Sequence, residues 1–221
     1  MPSPTSQASS PLVAVVVVIL TVAEDDLRVL LIHRSAEPYR DSWALPGGLL
    51  GEGETLDRAA ARKLLDETGV QDVYLEQLYT FGELSRGEGG RRGVAITYFA
   101  LVQYGQVRLR ESDTWQPQWH SAYKLPALAF ENNVVVDYAV RRLRSKLDYT
   151  NVAYSLLPRQ FTLSELQQVY EAILDREMDK RNFRRRMLSL GVIKAAGETR
   201  MEGAHRPAQL FTFVRREPTT V

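Results

Sequence analysis

The 221-residue chain contains no cysteine. Disulfides and thiolate metal sites are therefore excluded. It also lacks an apolar run long enough to cross a bilayer. The run Leu12 to Leu20 covers nine residues, far short of the ~20 a spanning helix needs, and its richness in Val reads as a buried strand. A basic leader is missing too. Met1 to Pro11 is rich in Ser and Pro and carries no positive charge, so no signal peptide is read there. Residues 1–10 are expected to be a flexible arm, and the protein is expected in the cytoplasm with no membrane partner. Internal repeats and further low-complexity tracts are absent. Net charge is small at +1, but it hides an asymmetry. Residues 150–221 hold 12 Lys or Arg against 8 Asp or Glu, whereas residues 1–149 hold 16 against 19. A basic tail on a slightly acidic body points to a separate module with an anionic partner.

What the chain does contain is a dense motif at residues 47–70, Gly-Gly-Leu-Leu-Gly-Glu-Gly-Glu-Thr-Leu-Asp-Arg-Ala-Ala-Ala-Arg-Lys-Leu-Leu-Asp-Glu-Thr-Gly-Val. Thr55 to Asp66 is expected to form one helix, with Thr55 as its N-cap and Gly69 near its C-terminal stop. Positions 63, 66 and 67 are spaced i, i+3, i+4 and share a face. The motif resembles the signature of the Nudix family. Gly48, Glu54, Arg62, Leu64, Glu67, Gly69 and Val70 fall in register, and Trp43-Ala-Leu-Pro-Gly-Gly48 matches the approach to it. In that family the carboxylates of this face hold Mg2+ against a pyrophosphate and help prepare a water for attack. Here Lys63 stands where the pattern has Glu, and Asp66 replaces a second Glu. An ammonium offers Mg2+ no oxygen ligand. The resemblance thus implies the Nudix α/β/α sandwich with a mixed sheet. No catalytic residue is expected, and Glu54, Asp66 and Glu67 are the residual candidates for a weak Mg2+ site.

Around the motif, residues 12–22 and 27–33 read as strands about the turn Glu24-Asp25-Asp26. Val73 to Phe81 and Val94 to Tyr104 read as strands on either side of a Gly- and charge-rich loop, Glu83 to Arg92. Asn132 to Leu147 reads as a helix with Val136, Ala139, Val140 and Leu143 on one face. Residues 11–148 are therefore taken as one effector-binding domain and 149–160, with Pro158, as a linker.

Residues 161–221 form a second module. Thr162-Leu-Ser-Glu165 is a capping box, and Leu163, Leu166, Val169, Tyr170, Ile173 and Leu174 make a helical stripe. A second helix follows from Asp179, its cap, to Gly191, its stop. On its wheel Phe183, Met187 and Leu190 gather on the core side. Arg181 and Arg185 point away, flanked by Asn182 and Arg184. An Arg/Asn face on a helix suits a major groove. Val192 to Lys194 and Gln209 to Val214 read as two strands around a loop with His205 and Arg206. The whole is a winged helix-turn-helix.

Together the modules resemble the Nudix-related transcriptional regulators of NAD metabolism, the NrtR family. The likeness is densest in Lys146-Leu-Asp-Tyr-Thr150, Leu156-Leu-Pro158, Leu166-Gln-Gln-Val-Tyr-Glu-Ala-Ile-Leu174, Asp179-Lys-Arg-Asn-Phe-Arg-Arg185 and Arg206-Pro-Ala208. It implies a homodimeric repressor of NAD-metabolism genes on a palindromic operator. Its degenerate Nudix domain would sense ADP-ribose or a related metabolite without needing a cofactor. Lys180, Arg181, Asn182, Arg184, Arg185 and Arg206 are the expected DNA contacts. Arg34, Gly48, Glu54, Arg62, Phe81, Arg92 and Phe130 are the expected effector contacts, in a pocket between the Nudix helix and the 83–92 loop. Two segments depart from the family habit, Arg92-Gly-Val-Ala-Ile-Thr-Tyr98 and Phe130-Glu131-Asn132. The alternatives are an active Mg2+-dependent ADP-ribose pyrophosphatase with an accessory DNA-binding domain, and a regulator of sugar catabolism.

Overall fold

A computed structural model describes residues 12–71, 73–82, 93–111, 115–201 and 207–220. The expected arm at 1–10, the 83–92 loop with Arg92, and Arg206 lie outside the described residues.

Strand β1 (Leu12–Ala23) runs through the middle of a seven-stranded mixed sheet. It pairs parallel with β6 (Gly93–Leu101) and antiparallel with β2 (Asp26–Arg34) and β4 (Gly47–Leu49). Strand β5 (Tyr74–Phe81) closes one side beside β6. Strands β3 (Trp43–Ala44) and β7 (Trp115–Ser121) pair with β2. From Leu12 to Leu20 the strand is apolar throughout because both its faces are covered. Val15, Val17 and Ile19 pack under helix α1 (Leu56–Thr68), while Val18 and Leu20 pack under helix α2 (Asn132–Tyr149). The β1–β2 turn is tighter than a generic loop. Ala23 pairs with Asp26, and Glu24 and Asp25 between them both have positive φ, 53° and 57°, as a two-residue hairpin turn of this hand requires.

Thr55 caps α1 by accepting from the Arg58 N–H, and Gly69 ends it at φ 69°. Helix α2 buries Val136, Ala139, Val140 and Leu143 as its spacing predicts and continues two residues further, to Tyr149. Strand β6 stops at Leu101, short of the expected Tyr104, where the chain turns into a 3-10 segment at Tyr104–Gln106. Strand β7 is absent from the sequence reading, since Pro117 interrupts its alternation. It lies at the sheet edge beside β2, where a proline is tolerated.

The second module has helix α3 (Leu163–Leu174), helix α4 (Lys180–Ser189) and a three-stranded sheet in the order β8 (Phe161–Thr162), β10 (Ala208–Phe213), β9 (Ile193–Arg200). The capping box forms in full: Thr162 N–H donates to Glu165 at 2.7 Å, and the Glu165 N–H donates to the Thr162 hydroxyl at 3.2 Å. Strand β9 starts one residue later than the sequence reading places it and runs to Arg200. Leu190 is not on the core side: it lies just past the helix end and is 39% exposed, while Phe183 and Met187 are buried.

The joint between the modules differs most from expectation. Residues 149–160 are not an exposed tether. A 3-10 turn at Val152–Leu156 buries Val152, Ala153, Tyr154 and Leu156 in the same cluster that holds β1, α2, α3, α4 and β10. The C-terminal segment then satisfies the backbone of this turn. The Arg216 guanidinium donates to the carbonyls of Tyr154, Leu157 and Pro158 at 2.7, 2.8 and 3.0 Å. Asn151 donates to the carbonyls of Arg215 and Glu217 and accepts from the Thr219 N–H.

The last carbonyls of α3, orphans of any helix end, are claimed by the first module. The Tyr123 hydroxyl shares its proton between the oxygens of Ala172 and Ile173 at 2.8 and 2.7 Å, and Arg144 Nε donates to Ile173 at 2.8 Å. Two modules that share their main apolar cluster should melt as one unit. Thermal unfolding followed by near-UV and far-UV circular dichroism is expected to give one coincident transition. Tyr123→Phe, which leaves those carbonyls one donor short, should lower stability by about 1–2 kcal/mol without splitting it. Two separate transitions would show that the modules fold apart.

Candidate ligand cavity and nucleic-acid interface

A cavity of about 290 Å³ opens beside β1, β4 and β6, against the start of α2. Its floor is apolar, with Leu12, Ala14 and Val16 on the β1 face opposite α1. It therefore lies on the other side of the sheet from the Nudix helix. Of the expected effector contacts, Arg34, Gly48 and Phe130 come together on its wall. Arg34 sits at the end of β2, with its guanidinium 5.2 Å from the Phe130 ring centroid and bonded to the Pro38 carbonyl at 2.9 Å. Burial lowers its pKa, with Glu37 opposing.

The rim around Phe130 is strained. Phe130 and Glu131 have φ of 56° and 54°, and Tyr39, whose ring meets Phe130 edge-on at 4.6 Å, has φ 63°. Left-handed backbone at a bulky residue costs on the order of 1–3 kcal/mol and concentrates at binding sites. Two asparagines hold the turn in place. Asn132 accepts from the buried Leu45 N–H at 2.9 Å, and Asn133 accepts from the Leu128 N–H and donates to the Pro126 carbonyl. Asn132 also lines the cavity, and sequence reasoning did not nominate it. Its signal was the Phe130-Glu131-Asn132 departure itself.

The remaining expected contacts lie elsewhere. Phe81 ends β5 and packs edge-on against Tyr79 and Tyr138, away from the cavity. Glu54 and Arg62 pair with each other through two hydrogen bonds at 2.8 and 2.9 Å, and the Arg62 bond holds the Glu54 carboxyl down at about 2. Arg62 also lies 3.8 Å from Asp66. Glu67 is only 1% exposed; burial pushes it up to about 7, against the pull of the Lys63 cation. Its Oε2 and Nε1 of Trp115 are both buried and make no well-formed hydrogen bond, although the indole N–H faces the Glu67 carboxyl and works against the upward shift.

These groups do not fit the Mg2+ that Nudix chemistry calls for. Glu54 is committed to Arg62, the Glu67 carboxyl is buried, and Lys63 places a cation on the same helix face. Among the described residues no three acidic or histidine side chains converge on one point.

The second surface is α4. Asp179 caps it by accepting from the Asn182 N–H at 2.9 Å. Phe183 and Met187 anchor the helix, and Lys180, Arg181, Asn182, Arg184 and Arg185 are all exposed on it. Arg185 donates to the Asn182 side chain at 2.8 Å, while Arg186 turns back toward Asp148 at 3.6 Å. At the other end of the module Arg200, in the wing, bridges to Glu165 at 2.7 Å. The result is a pre-ordered cationic face suited to phosphates and base edges.

Comparison with known proteins agrees with both halves. Residues 11–139 match the NUDIX domain family and residues 153–213 match the NrtR DNA-binding winged helix domain. The ADPR responsive transcriptional repressor NtrR of Acinetobacter baylyi is 38% identical over 94% of this chain and 84% of its own length. The crystal structure of Shewanella oneidensis NrtR complexed with a 27mer DNA superposes with a TM-score of 0.79 at 34% identity, covering 91% of this chain and 93% of that one. The NUDIX domain of the same protein complexed with ADP ribose matches at 0.54 and 32% identity, over 64% of this chain and 94% of that one.

Glu67 generates a pH prediction. Its folded pKa is raised from 4.5 to about 7, so the folded state keeps a proton that the unfolded chain releases. The associated stability is full below about 4.5 and is lost as pH rises through 7. Glu67→Gln, which cannot ionise, should melt with the parent at pH 4.5 and about 7–14 °C above it at pH 8. Equal melting at both pH values would show that Glu67 does not titrate in this range.

Proposed function

This chain belongs to the NrtR family of Nudix-related transcription regulators, and we propose that it is a DNA-binding repressor whose Nudix domain senses ADP-ribose or a related NAD metabolite. The observation that carries the reading is the single core joining a ligand cavity to a helix with a cationic outer face. A ligand that seats in the first can then move the second. The genes controlled are those of NAD metabolism, and the protein acts in the cytoplasm. No helix among the described residues is long and apolar enough to cross a membrane.

In this reading two copies bind a palindromic operator, with the two-fold axis of the homodimer matched by that of the DNA. Lys180, Arg181, Asn182, Arg184 and Arg185 contact phosphates and bases, joined by Arg206. The apolar cavity takes the adenosine end of the effector, with Arg34 and Phe130 at its mouth. The same domain has lost hydrolysis, since Lys63 occupies a ligand position and Arg62 ties up Glu54. This suits a sensor, because hydrolysis would destroy the signal. The effector acts by binding the DNA-competent and DNA-incompetent arrangements unequally.

Two measurements test this. In fluorescence anisotropy at fixed salt, saturating ADP-ribose should shift the affinity for DNA from upstream of the NAD-metabolism genes by about 5-fold or more. Arg181→Ala should weaken that binding and flatten the salt dependence by about one unit of slope. Incubation with ADP-ribose and Mg2+ should yield no AMP and ribose 5-phosphate at the roughly 1–1000 per second typical of enzymes. Turnover in that range, or DNA binding indifferent to ADP-ribose, would favour an active pyrophosphatase instead.

A further inference from the structure

Two cations sit side by side on the Nudix helix in different circumstances. Arg62 is neutralised by Glu54 and Asp66. Lys63 is half-buried, yet among the described residues no carboxylate lies within 4.0 Å of its ammonium and no acceptor takes a hydrogen bond from it. Its contact is the face of Trp115, 5.3 Å from the ring centroid. Two more polar atoms on the groups about it, Oε2 of Glu67 and Nε1 of Trp115, are buried and make no well-formed hydrogen bond, although the indole N–H faces the Glu67 carboxyl. Partly desolvated polar groups with unmade hydrogen bonds are costly. Two such groups beside an ammonium that lacks a carboxylate partner make a place that suits a polar ligand.

Gly48 connects this place to the cavity. On one side it lines the cavity. On the other, a Cβ built upon it would stand 3.1 Å from Cε of Lys63 and 3.5 Å from Nζ. Its strand, β4, pairs with β1 alone, so the outer edge is open. A ligand seated in the apolar cavity and extended outward over Gly48 reaches the Lys63 ammonium. A side chain at position 48 would crowd the Lys63 stem where the two meet.

We propose that Lys63 binds the diphosphate of a nucleotide-type ligand, its fixed ammonium supplying the positive charge that a divalent ion supplies in a Nudix enzyme. This rests on the reading that the cavity takes the nucleoside end of ADP-ribose. A covalently attached cation is present at any metal concentration and neutralises phosphate as a point charge. Unlike a metal, it carries no bound water to activate. The same substitution therefore removes hydrolysis and keeps binding.

The test is calorimetric titration of ADP-ribose into the full chain, in EDTA and in Mg2+, for the parent, Lys63→Met and Lys63→Glu. The parent should bind equally in both buffers, within about twofold. Lys63→Met, which keeps most of the apolar stem, should lose about 10-fold or more in ADP-ribose affinity, as expected for a lost charge-assisted contact. It should bind adenosine, which has no phosphate, as the parent does. Lys63→Glu should bind ADP-ribose more weakly still in EDTA. A parent that needs Mg2+, or a Lys63→Met variant with undiminished affinity, overturns the proposal. If the parent binds no ADP-ribose at all, the effector reading fails separately. Inorganic pyrophosphate followed by phosphorus NMR then decides the anion site. Broadening with the parent and none with Lys63→Met upholds it, and identical spectra overturn it.

Discussion

The carbonyl oxygens at the end of α3 are held by residues of the sensing domain, and the arrangement of the molecule depends on that grip. Tyr123 and Arg144 take the last acceptors of the helix, and the apolar cluster beneath them passes from the Nudix sheet into the winged module without a break. Domains joined by an exposed linker would by default move independently. Here independent motion would expose buried residues such as Val152, Leu156 and Leu166, each stabilising the fold by about 1.5–3 kcal/mol. The C-terminal strap of Arg216 on the 3-10 turn adds to the same restraint. Helix α4, the proposed DNA-reading helix, is thus carried on the same core as the Nudix sheet, and a change of shape at the cavity can reach it only by moving the whole unit.

That arrangement gives meaning to the strain at the cavity rim. Phe130, Glu131 and Tyr39 hold left-handed backbone next to the wall that would receive a ligand. The turn is pinned by Asn132 and Asn133 at the first residues of α2, and the same helix later offers Arg144 to α3. One helix therefore begins at the cavity and ends at the joint. The charges follow a similar economy. The Nudix box keeps its shape, while Arg62 absorbs Glu54 and the Lys63 ammonium, beside Gly48 and over Trp115, has no carboxylate partner among the described residues. A box retained in form with a cation built in is what a binding site needs when its ligand must survive.

Much of this was legible from residue types and spacing, for reasons that can be named. Strand β1 announced itself because burial on both faces demands an unbroken apolar run. The caps of α1, α3 and α4 were legible because Thr55, Thr162 and Asp179 bond to N–H groups only three residues away. The outward face of α4 followed from a period fixed by helix geometry. What escaped was set by distant partners. Strand β7 is defined by its pairing with β2 across some ninety residues of chain, and Pro117 erases its local signature. The segment 149–160 looked like a linker because its burial comes from elements on either side of it. Leu190 fell on the right side of the wheel, but the helix ends before the wheel applies. At the cavity, Arg34 and Phe130 were legible by residue type, whereas the role of Asn132 depends on Leu45, far upstream. Phe81 carried the right chemistry, yet its surroundings are Tyr79 and Tyr138.

The central claim is that cavity and DNA-reading helix share one equilibrium, and thermodynamic linkage makes it testable from the ligand side. Titration of ADP-ribose into free protein and into protein saturated with operator DNA should give two dissociation constants. The account requires their ratio to equal the factor by which ADP-ribose changes operator affinity. Identical constants for free and DNA-bound protein would contradict it, leaving a sensor and a DNA-binding module that share a core without sharing a signal.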